Sequence, residues 1–231
     1  MDYIKDNLVA VEERIAAACK RAGRDRSEVQ LIAVSKTVEA DVMNASIEFG
    51  VTDLGENRVQ EIRRKYDDVM EAKWHLIGHL QSNKVKYIID KVHLIHSVDS
   101  LKLAEEISKR AGQHEKKMPI LLQVDMASEA SKFGMAADDV KALLLSILEL
   151  EHLKVNGLMF IAPFVSNPED VRGYFKQMKA LFDDIKDNIK HERLEMKHLS
   201  MGMTNDFEVA IEEGATLLRV GTGVYGKRDY N

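Results

Sequence analysis

Two patterns in this sequence could carry covalent and anion-binding chemistry, and the first is a lysine at the end of an apolar run. Lys36 follows the apolar residues 31–34 and Ser35, a run typical of a buried strand. A lysine at the mouth of a barrel would be partly desolvated, which lowers its pKa and makes its amine a nucleophile toward aldehydes. Position alone also allows an ordinary surface lysine at the end of a strand.

The second pattern lies near the end of the sequence. Arg219 interrupts an apolar run, so its charge must find a partner or water. The Gly-Thr-Gly segment at residues 221–223 follows it and can present backbone N–H groups to an anion. Ser200 and Gly202 occupy an earlier segment that fits the same role. A Gly-x-Gly pair alone would equally suit a plain tight turn.

The spacing of apolar residues predicts the strands that would position these groups. Short β-branched runs alternate with longer charged segments of helical spacing, which is typical of βαβ units and a parallel sheet. Eight such runs match a closed barrel, and an open doubly wound sheet is the competing architecture. The predicted strands cover residues 29–35, 52–55, 74–78, 93–97, 119–125, 155–160, 198–200 and 216–221.

Helices are predicted between most of these strands, and residues 1–22 are predicted to form one more before the first strand. The predicted fold is α/β: a single (β/α)8 barrel of the TIM type with an extra N-terminal helix, with residues 1–231 as one domain. Residues 61–65 are interpreted as a solvated helix face. The predicted helices between strands cover residues 40–49, 59–69, 101–110, 136–146, 169–187 and 206–213.

The composition excludes several classes of function. With 45% apolar and 31% charged residues the chain is not of a disordered or fibrous type. The net charge is −5 without a long basic block, so neither nucleic acid nor an anionic membrane is expected as a partner. No apolar run approaches the roughly 20 residues that cross a bilayer, and no signal-peptide pattern is present, which indicates a cytoplasmic protein. The scattered histidines lack metal-ligand spacing, so no metal-ligating residue is assigned.

Together the two patterns suggest a protein that forms a Schiff base with a phosphorylated small molecule. In barrels of this type the loops after the seventh and eighth strands form the usual phosphate site. A sugar-phosphate aldolase and a pyridoxal phosphate protein would both use a lysine and such a site. An aldolase usually carries its lysine on a later strand, with carboxylates nearby, whereas Lys36 follows the first predicted strand.

Longer motifs resemble those of the pyridoxal phosphate homeostasis proteins. The most specific is Trp-His-Leu-Ile-Gly-His-Leu-Gln-Ser-Asn-Lys, beginning at Trp74. The resemblance extends from about residue 29 to 230 and implies a monomeric barrel, similar to the N-terminal domain of alanine racemase, that binds pyridoxal 5′-phosphate (PLP). Other segments that carry it are residues 33–37, 55–61, 199–203 and 219–228.

The resemblance also implies roles for individual residues. Lys36 would hold PLP as a Schiff base, and Arg219 would approach the pyridine nitrogen. Asn57 and Met159 would line the ring. No catalytic residue is implied. The residues implied to hold the phosphate are Ser200, Met201, Gly221 and Thr222.

As a function, the resemblance implies intracellular PLP homeostasis, by buffering PLP or delivering it transiently to PLP-dependent apo-enzymes, without established turnover. An arginine at the pyridine nitrogen disfavours protonation of the ring, because two like charges would meet. An unprotonated ring is a weak electron sink. About ten residues follow the last predicted strand, whereas alanine racemase adds a β-domain that supplies a tyrosine as second base. We therefore expect a protein that is not an enzyme.

Two alternatives remain open on the sequence alone. A PLP-dependent racemase or decarboxylase of amino acids would share the same cofactor residues. A protein whose main activity is to bind another protein, with PLP as a signal, would share them as well.

Overall fold

Parallel strands form the central sheet of this protein. The computed structural model describes residues 1–126 and 133–226. Within them the strands are β1 (Gln30–Val34), β2 (Asp53–Glu56), β3 (Lys73–Leu76), β4 (Val92–Val98), β5 (Met118–Asp125), β6 (Met135–Ala136), β7 (Leu153–Phe160), β8 (Leu194–Met203) and β9 (Leu217–Val220). Strand β4 pairs with β5 and β9 with β1, so eight strands close into a barrel, and the short β6 pairs with β5 outside it. The predicted closed barrel is confirmed, and the open sheet is excluded.

Helices follow most of the barrel strands. The described α-helices are α1 (Asp2–Arg21), α2 (Ala40–Glu48), α3 (Val59–Lys65), α4 (Leu101–Gln113), α5 (Val140–Leu148), α6 (Arg172–Asn188), α7 (Phe207–Glu212) and α8 (Thr222–Tyr225). The connection from β3 to β4 contains a 3-10 helix, Ser82–Tyr87, and no helix was predicted there. In the described part of the chain, no helix is both long enough and apolar enough to cross a membrane.

Helix α1 is the extra N-terminal helix that the sequence predicted. Its buried residues Ile4, Val11 and Ile15 recur at helical spacing and form one apolar face. That face packs against α7 and α8, and the Asn7 side chain donates a hydrogen bond to the Val224 carbonyl at 3.0 Å. The first helix and the last therefore hold each other beside the pairing of β1 with β9.

The barrel strands are buried on both faces, which explains their consecutive apolar residues. Successive side chains point to opposite faces of a strand. In β1, Ile32 joins an apolar cluster inside the barrel, whereas Ala33 belongs to the larger cluster between barrel and helices. The remaining buried members of the inner cluster are Leu94, Leu121, Met159 and Leu217.

One glycine is required where β7 approaches β8. Gly157 has a φ of +142°, and a Cβ atom added there would lie 1.8 Å from the carbonyl oxygen of His198. The register between the two strands shifts at this point, between Val155 and Gly157. A side chain here would therefore combine an unfavourable backbone conformation with a clash against backbone.

We predict that Gly157→Ala lowers the free energy of unfolding by more than about 3 kcal/mol, because the backbone of both strands would have to shift to remove the clash and the unfavourable φ. Gly173→Ala is the matched control. Gly173 lies in α6 and an added Cβ would meet no atom within 4 Å, so alanine is expected to stabilise the protein by up to about 1 kcal/mol. Urea unfolding followed by circular dichroism measures both, and equal losses in the two variants would contradict the prediction.

Candidate functional site

A cavity of about 530 Å³ lies at the C-terminal ends of the barrel strands. This is the end at which (β/α)8 barrels carry their active sites. Five of the eight residues predicted for the site line this cavity, although they come from three separate parts of the chain. They are Lys36, Asn57, Arg219, Gly221 and Thr222.

The other three predicted residues do not line the cavity. Met159 is fully buried in the apolar cluster inside the barrel. Ser200 is also buried, and it is hydrogen-bonded to Arg219, which does line the cavity. Met201, the next residue on β8, points to the opposite face and joins the cluster between barrel and helices.

A larger cavity of about 860 Å³ lies at the opposite end of the barrel. It is bounded by α1 and by the first residues of β1 and β2, Gln30 and Asp53. Charged side chains of both signs line it, and Arg26 is already paired with Glu12 at 2.6 Å. The lining of this second cavity therefore has no clear excess of positive charge, whereas the described lining of the cavity around Lys36 is basic.

Lys36 stands on the loop that leaves β1. Strand β1 ends at Val34, two residues earlier, and the Lys36 side chain is exposed. The partial desolvation expected from the sequence is therefore not met, because the lysine lies beyond the rim of the barrel. The next residue, Thr37, has a φ of +62°, which is rare and strained for a β-branched residue. The Val38 N–H closes this turn by donating to the Ser35 carbonyl at 2.9 Å.

A buried ion pair holds the ends of β1 and β2 together. Lys65 Nζ lies 2.8 Å from Glu56 Oε1 and donates to the Ser35 carbonyl at 3.0 Å. The Ser35 hydroxyl donates to the same Glu56 oxygen at 2.8 Å. Since Ser35 precedes Lys36 and Glu56 precedes Asn57, this pair fixes the backbone from which both cavity residues extend.

The same pair corrects one expectation from the sequence. Residues 61–65 were interpreted as a solvated helix face, but Lys65 is only 2% exposed and turns inward. Burial raises the pKa of Glu56, and the hydrogen bond and charge of Lys65 oppose that rise. The lysine is therefore needed to keep a carboxylate at this position.

Asn57 reaches the cavity because its neighbour is a glycine. A Cβ atom at Gly78 would lie 2.4 Å from the Asn57 carbonyl oxygen. Only a residue without a side chain allows the loop after β3 to pass so close to the loop after β2. Both loops line the cavity as a result.

The loops after β8 and β9 form the other side of the cavity. Gly221 follows β9, and Thr222 begins α8. The Gly223 N–H donates to Thr204 Oγ1 at 3.4 Å and so links the two loops. Thr204 and Asn205 also line the cavity, although sequence analysis did not select them. The reason is that β8 continues to Met203, three residues beyond the predicted strand, which moves the strand end toward them.

Arg219 is a buried cation at the base of the cavity. It is 4% exposed, and its Nη1 and Nη2 groups donate to Ser200 Oγ at 2.6 Å and to the Phe160 carbonyl at 2.7 Å. Burial lowers the pKa of Arg219 to about 10, and the charge of Asp206 opposes the shift. The guanidinium is therefore protonated at neutral pH.

The groups that line the cavity suit PLP. Among the described lining residues are an amine, a guanidinium, two threonine hydroxyls and two amides, and none of these residues is acidic. PLP combines an aldehyde with a phosphate dianion, so a primary amine and an excess of positive charge are the groups that it needs. Phe164, 88% exposed at the rim, adds an aromatic surface.

We predict that Lys65→Met lowers the free energy of unfolding by about 3–5 kcal/mol at neutral pH, because it leaves the Glu56 carboxylate buried without a counter-ion. The loss should shrink as the pH falls, since a carboxyl group with a raised pKa is readily protonated and a neutral Glu56 needs no counter-ion. Urea unfolding at several pH values measures this. Arg64→Met, at an exposed neighbour on α3, is the control and should change stability little.

The family of the chain is shown by comparison with known proteins. The sequence model of the family described as "Alanine racemase, N-terminal domain" matches residues 7–229. A pyridoxal phosphate homeostasis protein of Aquifex aeolicus (strain VF5) is 45% identical over 227 residues, which cover 97% of this chain and 98% of that protein. The pyridoxal phosphate homeostasis protein of Pseudomonas aeruginosa is 37% identical over 232 residues, with 100% and 98% covered.

Solved structures agree with this assignment. PipY of Synechococcus elongatus, solved with PLP bound, is 34% identical and has a TM-score of 0.83, with 96% of this chain and 100% of that chain covered. An alanine racemase of Clostridium difficile has a TM-score of 0.70, with 100% of this chain and 58% of that chain covered, and at 15% identity it shows the fold alone. The resemblance seen in the sequence motifs is confirmed, and the chain belongs to the family of pyridoxal phosphate homeostasis proteins.

Proposed function

We propose that this protein binds PLP in the cavity around Lys36 and acts in the homeostasis of PLP. One observation carries the proposal: the closed barrel brings Lys36, Arg219 and the loops after β8 and β9 to one cavity that has no acidic lining residue in the described part of the chain. Family membership and the PLP-bound structure of PipY support the choice of ligand.

In this proposal Lys36 is the covalent attachment point. Its exposed amine can reach an aldehyde that enters from solvent. A C=N bond forms between Nζ and the aldehyde carbon, and one water molecule leaves, so the product is a Schiff base. Asn57 lies at the neighbouring strand end, where it would contact the ring.

The remaining predicted residues divide into direct and indirect roles. Gly221 and Thr222 line the cavity and would hold the phosphate, and Arg219 would face the pyridine nitrogen. Ser200 would act through Arg219, to which it is hydrogen-bonded. From their buried positions Met159 and Met201 would support the ring and the phosphate loop by packing.

We further propose that binding occurs without turnover. At neutral pH the Arg219 cation disfavours a second positive charge on the ring nitrogen. Lys36 and Arg219 are the titratable side chains among the described residues that line the cavity, so none of these residues offers Lys36 a second base. Tyr225 cannot serve, because it is buried against Ser46 at 3.0 Å and burial raises its pKa to about 12. A cytoplasmic monomer that passes PLP to apo-enzymes would fit these features.

We predict that purified protein with added PLP develops the yellow absorbance of a Schiff base, and that borohydride reduction followed by peptide mapping places the adduct on Lys36. The Lys36→Ala variant should lose the band, because no other described lining residue carries a primary amine. Lys84→Ala, at a half-buried lysine outside the cavity, is the control and should keep it. An adduct spread over several surface lysines would refute the site.

The absence of turnover is tested separately. We predict no sustained exchange of the Cα hydrogen of alanine for deuterium in D2O, followed by proton NMR with PLP-loaded protein, because the described lining residues supply no second base. Free PLP at the same concentration is the control for uncatalysed exchange. Sustained exchange that disappears in Lys36→Ala would favour the amino-acid racemase or decarboxylase instead.

A further inference from the structure

A line of buried polar side chains crosses the interior of the barrel. It begins at Asp53, the first residue of β2, whose Oδ1 lies 2.8 Å from His75 Nε2. His75 Nδ1 lies 3.0 Å from His96 Nε2, and His96 Nδ1 lies 2.9 Å from Ser200 Oγ. Ser200 Oγ lies 2.6 Å from Arg219 Nη1 at the cavity. All five side chains are buried, with Arg219 the most exposed at 4%.

The two ends of this line determine which way each hydrogen bond points. The guanidinium of Arg219 can only donate, so Ser200 Oγ accepts from it and has one hydrogen left to give. At the other end, burial favours a neutral Asp53, but hydrogen bonds, that of His75 foremost, outweigh burial and lower the pKa of Asp53 to about 2. Asp53 is therefore a carboxylate that can only accept.

The histidines between the ends are then limited to one tautomer each. Burial holds the pKa of His96 well below its usual value, and the charge of Arg219 lowers it further, so His96 is neutral. It accepts from Ser200 at Nδ1 and donates from Nε2 to His75. His75 in turn donates from Nε2 to Asp53. The reverse arrangement needs an imidazolium at His75 and leaves the Ser200 hydroxyl hydrogen without an acceptor among the described groups.

We infer that Arg219, Ser200, His96 and His75 form one chain of hydrogen bonds, each donating toward Asp53, that positions the Arg219 guanidinium at the cavity. The chain anchors Nη1, and the Phe160 carbonyl anchors Nη2. Two anchors on a planar group fix its rotation as well as its place. His75, His96 and Asp53 are thus positioning residues for a site that none of them lines.

This inference changes the role expected of Ser200. Its hydroxyl accepts from Arg219 and donates to His96, so the hydrogen that could have bound a phosphate is already committed. The consequence for the cofactor rests on the proposed function, because only with PLP in the cavity would Arg219 face a ring nitrogen. The hydrogen-bond chain itself does not depend on PLP.

The first test uses wild-type protein without PLP. Two-bond 1H–15N NMR distinguishes a histidine protonated at Nε2 from one protonated at Nδ1, and variants at positions 75 and 96 assign the signals. We expect Nε2–H on both rings at neutral pH. A proton on Nδ1 of His96, or a doubly protonated His75, would overturn the inference. If these variants fail to fold, scalar-coupled experiments that link each ring to its own backbone amide assign the signals in wild-type protein.

The second test asks whether the hydrogen-bond chain holds the Arg219 guanidinium in a fixed orientation. In wild type the guanidinium N–H groups should give resolved resonances, because two anchors slow rotation about the guanidinium bonds. Ser200→Ala and His96→Asn should lose them. His93→Asn is the control, since His93 lies on the same strand β4, is exposed and makes none of these hydrogen bonds; its ring meets the His75 ring edge-on, with centroids 5.8 Å apart. Resolved resonances that survive in both Ser200→Ala and His96→Asn would overturn the positioning role.

The third test adds PLP. Ser200→Ala and His96→Asn should weaken PLP binding about tenfold, the scale of one hydrogen bond lost at a buried donor. They should also shift the absorbance of bound PLP, whereas His93→Asn should bind as wild type does. If wild type binds no PLP, the proposed function fails, but the NMR result still shows whether the hydrogen-bond chain exists. If both variants match wild type in affinity and spectrum, the positioning role fails while PLP binding stands.

Discussion

A cation buried inside the barrel must be surrounded by groups that can accept its hydrogen bonds. Arg219 lies on β9 with its guanidinium almost fully enclosed, and a buried charge without partners would cost several kcal/mol. The Phe160 carbonyl and Ser200 hydroxyl meet that requirement directly. The hydrogen of the Ser200 hydroxyl then needs an acceptor of its own, which is His96. The hydrogen bonds continue from His96 to His75 and end at the Asp53 carboxylate.

A second buried charge organises the opposite side of the cavity in the same manner. Lys65 pairs with Glu56 beneath the loops that carry Lys36 and Asn57. Neither Lys65 nor Glu56 lines the cavity, yet their ion pair defines where β1 and β2 end. Two buried polar networks therefore hold three of the residues that line the cavity, Lys36, Asn57 and Arg219.

The fold could be predicted from the sequence because both faces of the barrel strands are buried and their apolar residues are consecutive. Lys36 and Arg219 could also be selected, since each stands at or near the end of an apolar run. The partners His75 and His96 could not. They lie on neighbouring strands, and whether their rings meet depends on strand register and on which face each residue takes. Lys65 was misinterpreted because nothing in a charged helix segment shows which of its side chains turns inward, even though the buried partner Glu56 is only nine residues away. Met159 was placed at the cavity by resemblance, whereas its position on β7 places it deeper.

The pairing of β1 with β9 limits when the cavity around Lys36 can form during folding. Ile32 lies opposite Arg219, far from it in sequence, and α1 packs on α7 and α8, which are equally distant from it along the chain. A ribosome releases Lys36 well before β9, the strand that completes its surroundings. Contacts between such distant residues form slowly during folding. A nascent chain therefore displays the lysine as an ordinary surface amine, and the site exists only after the final strand has closed the barrel.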